Sequence, residues 1–83
     1  MEATPTSDTR GFIEYVAKEL ARSPDDVEVE ESVSDSLIVY RLKLAPDDIG
    51  RVIGREGRIV RAIRSLLRAA AVRQGVRVSL EVG

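Results

Sequence analysis

The stretch DDIGRVIGREGRIVRAIRSLL, residues 47–67, constrains this chain more than any other. Ile49, Val52 and Ile53 repeat at helical spacing, and Ile59, Val60, Ile63, Leu66 and Leu67 do so again further on. Between the two patterns stand Gly54 and Gly57. Each glycine inside a helix costs about 1 kcal/mol relative to alanine, so one continuous helix is disfavoured there. The expected arrangement is a short helix, a joint carrying Arg55 and Glu56, and a longer helix from about Arg58 to Gln74. Gly75 provides the C-terminal stop.

The remaining patterns are arranged around that pair. Residues 1–7 are polar and are expected to form a flexible N-terminus, followed by a single domain over residues 8–83. Asp8 is a good N-cap for a first helix carrying Phe12, Ile13, Val16, Ala17 and Leu20, and Pro24 ends it. In VEVEESV, Val27, Val29 and Val33 alternate with Glu28, Glu30 and Ser32, which predicts a strand with one acidic, solvated face. In SLIVYRLKL, Ile38, Tyr40, Leu42 and Leu44 share a face, so the two runs form a hairpin across Ser34 and Asp35. The closing VRVSLEV is a third strand, with Val76, Val78, Leu80 and Val82 facing inward. The order is α-β-β-α-α-β. It predicts an α+β two-layer sandwich, a three-stranded sheet with three helices on one face.

Composition removes whole classes of function. The chain has no cysteine and no histidine, which excludes disulfides, thiolate zinc sites, cysteine nucleophiles and histidine acid–base pairs. No metal, cofactor or catalytic residue is expected, and the chain reads as not being an enzyme. No apolar run approaches the ~20 residues of a membrane span. A cytoplasmic location suits the cysteine-free composition. The formal net charge of −1 conceals a strong asymmetry: residues 1–50 carry −7 and residues 51–83 carry +6. A local basic patch of that kind steers anionic ligands whatever the total charge.

On a helical wheel Arg58, Arg61, Arg64 and Arg68 fall opposite the apolar face. Spacing alone leaves this row open as a solvated helix face or as a binding patch. It leaves the glycine joint open too, as a mere corner or as an anion cradle. The cradle has a physical basis, since glycine allows close backbone approach and a helix N-terminus offers free N–H groups. Arg55 and Arg58 would add donors suited to phosphate. Other glycine motifs fail on spacing: no Lys-Ser/Thr pair follows for a P-loop, and G-x-x-x-G-x-x-G is not the dinucleotide fingerprint.

IGRVIGREGRIVRAI, with its G-x-x-G between aliphatic helices, resembles the signature of a KH domain, and the element order resembles the bacterial type II arrangement. A chain consisting of little else is similar to the small bacterial single-KH RNA-binding proteins. The resemblance implies an RNA-binding protein that acts as a regulator or RNA chaperone in growth, envelope or division. It implies that Gly54, Arg55, Glu56 and Gly57 contact the backbone of about four single-stranded nucleotides. Ile49, Val52 and Ile53 would line the base-binding groove, Arg58 and Arg61 would face phosphate, and an edge strand starting near Leu37 would close the far side. It also implies a homodimer, or a heterodimer with a larger KH-containing protein. In the alternative reading the domain is chiefly a dimerisation module, and Ile53 belongs to an interface. Glu56 departs from the basic or neutral residues usual in such loops. Its repulsion of phosphate amounts to about 1 kcal/mol or less when screened.

Overall fold

The computed structural model describes the backbone from Pro5 and the side chains from Thr9, through to Gly83. Helix α1 spans Pro5–Leu20, β1 Glu28–Ser34, β2 Leu37–Lys43, α2 Ile49–Ile53, α3 Arg58–Gln74 and β3 Arg77–Val82. The α+β order of three helices and three strands is the expected one. The expectation of a flexible terminus lies, for residues 1–4, outside the described residues. Pro5 already stands in α1, where its fixed φ and missing N–H suit the first helical position, so Asp8 is inside the helix and not its cap.

The sheet order is β1-β2-β3, with β1 antiparallel and β3 parallel to β2. In the hairpin Val29 lies opposite Leu42. Across the other ladder Tyr40 lies opposite Leu80, and Leu42 opposite Val82. The parallel pairing follows from the connection: α2 and α3 carry the chain back over the sheet before β3 begins. Ile38, Tyr40 and Leu42 of the central strand are buried against Ile13 and Ala17 of α1, Val52 of α2, and Val60, Ile63 and Leu67 of α3.

Three apolar residues leave the expected pattern. Val33 alternates correctly with Val29 but is 63% exposed, because it stands toward the tip of an edge strand. Leu66 is 57% exposed. On α3 the line facing the sheet is Val60, Ile63, Leu67 and Ala71, and Leu66 lies a step round the helix from it, toward α1. Phe12 of α1 is also 37% exposed and, with Leu66, lines a cleft between α1 and α3.

Candidate nucleic-acid interface

The site begins with the anchoring of α2. Asp48 ends the short turn Pro46–Asp48 and is only 1% exposed. The backbone N–H groups of Arg22 and Ser23, just past α1, donate to its Oδ1 and Oδ2, each at 3.0 Å. Arg51 Nε lies 3.5 Å from Oδ1. One carboxylate thus ties the end of α1 to the head of α2. These two backbone hydrogen bonds, helped by the neighbouring guanidinium groups, hold the Asp48 carboxyl below the usual carboxylate range. The anchor is invisible in the sequence, because nothing in PDDIG distinguishes a buried aspartate from an exposed one.

A pH test follows from the direction of that shift. A carboxyl whose folded pKa is depressed contributes stability above its unfolded pKa of about 3.9, and loses it as pH falls through the folded value. Asp48→Asn is therefore expected to unfold at lower urea than the parent at pH 7, with the gap narrowing below about pH 4. A gap that stays constant on acidification would remove the carboxylate charge from the anchor.

Gly54 ends α2, and its N–H donates to the Gly50 carbonyl at 2.9 Å. Its φ of 80° and ψ of 172° lie in a region essentially reserved for glycine. A β-carbon there would also sit 2.7 Å from Ile59 Cγ1, so the first helical turn of α3 packs directly over it. The following turn closes when the Gly57 N–H donates to the Gly54 carbonyl at 3.1 Å. Glu56 (φ 57°, ψ 26°) and Gly57 (φ 74°, ψ 16°) are both left-handed, which reverses the chain into α3. No side chain caps the first turn of α3; the Arg58 N–H donates to the Arg55 carbonyl, and the positive end of the helix dipole lies beside the loop.

The predicted site residues divide by placement. Arg55, Glu56 and Arg58 are exposed on and beside the loop. Arg58 Nη2 lies 3.7 Å from Glu56 Oε1, a loose pair of largely exposed groups. Arg61 Nη2 donates to the Glu56 carbonyl at 2.7 Å. Ile49 and Ile53 are half-buried, whereas Val52 has no exposed surface and lies in the core beneath them.

The far wall is not where it was expected. The strand beginning at Leu37 is the central one, paired on both sides, and cannot be an edge. The edge strand beside α3 is β3. Between them runs a groove of about 290 Å³, lined by Arg64, Leu67, Arg68, Val78, Ser79 and Leu80. Arg64 Nη2 crosses it to donate to the Leu80 carbonyl at 3.0 Å. Arg64 lies about 9 Å along α3 from Arg58. The arginine row is therefore not one uniform face: two of its members are committed to backbone carbonyls. Among the described residues no group of acidic side chains is disposed to hold a metal ion, and no helix is long and apolar enough to cross a membrane.

Comparison with known proteins gives a consistent result. The family model described as "KhpA/KhpB, KH domain" matches residues 10–82. The chain is 46% identical over 71 residues to the RNA-binding protein KhpA of Clostridium acetobutylicum, covering 86% of this chain and 95% of that one. It is 45% identical over 71 residues to the RNA-binding protein KhpA of Chlamydia pneumoniae, covering 86% and 91%. With the RNA-binding protein KhpA of Caldanaerobacter subterraneus it shares 46% identity, again covering 86% and 95%.

Proposed function

This chain belongs to the KhpA/KhpB KH-domain family, and from that premise we propose that it is a non-enzymatic module that grips short single-stranded RNA through the loop at residues 54–57. The observation that carries this reading is the loop itself. A left-handed turn sits at the uncapped head of α3, flanked by two exposed arginines that make no strong ion pair. The positive end of the α3 dipole, Arg55 and Arg58 meet the sugar–phosphate chain, and the glycines let it approach the loop backbone closely. Ile49 and Ile53 give bases an apolar surface, with Val52 supporting them from the core. The α3–β3 groove continues the track. None of the three aromatic residues lies on α2, α3 or β3, so bases are held by van der Waals contact and edge hydrogen bonds, not by stacking. Sequence selectivity is correspondingly low, and affinity falls with salt. Replacing Arg55 and Glu56 together by aspartate and following a short labelled RNA by fluorescence anisotropy tests this reading; unchanged affinity would remove the loop from the mechanism.

One observation favours a second surface with a different role. Phe12, Leu66, Leu67 and Ala70 line a cleft of about 340 Å³ between α1 and α3. An exposed apolar strip brought against its own copy by a twofold axis is self-complementary, which favours self-association through this face. Leu66, more exposed than Ile53, is the better place to probe it. Leu66→Asp is expected to halve the mass measured by light scattering while leaving the circular dichroism spectrum unchanged. An unaltered mass would exclude this face as the interface.

A further inference from the structure

Three features lie outside the proposed grip: the apolar α1–α3 cleft, the Asp48 anchor, and the bond from Arg61 to the loop. The third carries furthest. Among the described residues only Asp35 and Glu56 take positive φ without being glycine. Asp35 stands in a hairpin turn, and aspartate tolerates this region because its short carboxylate can bond locally. Glutamate has no such reach, so the left-handed backbone at Glu56 must be imposed from outside. The Arg61 guanidinium supplies a means, a charged donor held 2.7 Å from the Glu56 carbonyl oxygen. That bond orients the peptide between Glu56 and Gly57, the unit that turns the loop into α3. It also neutralises a carbonyl dipole that would otherwise point negative charge toward the loop's surroundings.

We propose that Arg61 is a positioning residue, not a phosphate contact: it holds Glu56 left-handed and so shapes the loop that grips RNA. The proposal rests on the loop reading given above. Charged contact with phosphate is then left to the exposed Arg55 and to Arg58, whose pairing with Glu56 is loose.

A variant cycle tests it on a short fluorescein-labelled oligouridylate. Arg61→Met keeps the aliphatic stem and removes the guanidinium. It is expected to weaken binding about tenfold to a hundredfold, the worth of one charge-assisted hydrogen bond, with the slope of log affinity against log salt unchanged. In a Glu56→Asn background, where the residue adopts left-handed backbone readily, Arg61→Met is expected to cost nothing further. In a Glu56→Gln background, which removes the carboxylate but keeps the strain, the full loss is expected to return. A slope shallower by about 0.7 would make Arg61 a phosphate contact and overturn the proposal. An equal loss in all three backgrounds, or none in any, would also overturn it.

A readout without RNA separates this proposal from the reading beneath it. Hydrogen exchange of the Gly57 amide, which closes the loop onto Gly54, is expected to accelerate in Arg61→Met and not in Glu56→Asn/Arg61→Met. A parent that binds no oligouridylate yet shows this exchange pattern would refute the RNA reading and leave the Arg61 brace standing. An exchange rate untouched by Arg61→Met would refute the brace.

Discussion

Gly54→Ala is expected to lower the unfolding free energy by about 2–4 kcal/mol, and the melting temperature by about 10 °C or more, in a chain of this size. Two independent costs add at this position. The backbone at φ 80° and ψ 172° is one that a residue with a β-carbon scarcely visits. The new methyl would meet Ile59 Cγ1 at 2.7 Å, and Ile59 cannot retreat freely because it packs against the core. Gly57 provides the comparison. Its φ of 74° is left-handed, but a β-carbon there meets nothing within 4 Å. Gly57→Ala therefore carries the backbone cost alone, about 1 kcal/mol. Urea denaturation followed by circular dichroism orders the two variants. Equal losses would mean that the Gly54–Ile59 approach is not what demands glycine.

The second large effect is on RNA affinity. Arg55→Asp/Glu56→Asp exchanges an exposed donor for a carboxylate beside the proposed phosphate path. One charge-assisted hydrogen bond contributes about 1.5–3 kcal/mol, and the new like-charge approach adds up to about 1 kcal/mol of repulsion in water. Together they predict a loss of about thirtyfold or more in affinity. The fold should be spared. Arg55 is exposed, and aspartate at position 56 tolerates left-handed backbone better than the glutamate it replaces.

How much of this can be read from residues alone differs from element to element. The alternation in SLIVYRLKL and the helical spacing after Gly57 are sufficient for their elements, because burial on one face imposes a period on the sequence. Strand order imposes none. Ile38, Tyr40 and Leu42 alternate in the same way whether β2 has one neighbour or two, so its central place emerges only from the ladders. Leu66 has the right angle on a wheel, but the wheel does not say how far a neighbouring layer extends to cover it. G-x-x-G is legible as a joint. The left-handed Glu56 within it is not, since glutamate is a poor marker for that conformation, and the bond that accompanies it comes from Arg61, five residues along the chain. Asp48 is equally hidden. Its burial depends on two backbone N–H groups that lie 26 and 25 residues upstream, a separation that no local pattern reports.

The loop at residues 54–57 and its flanking arginines are proposed to grip the phosphate backbone of single-stranded RNA. The most direct measurement is the affinity of a short labelled RNA for the parent chain and for Arg55→Asp/Glu56→Asp across a salt series. The parent's affinity is expected to fall steeply with salt, and the variant is expected to bind more weakly at every salt concentration. The variant's slope should be shallower by about 0.7 for each phosphate that the altered loop no longer neutralises. Parallel lines of equal height for the two proteins would contradict the grip and place any RNA contact elsewhere on the molecule.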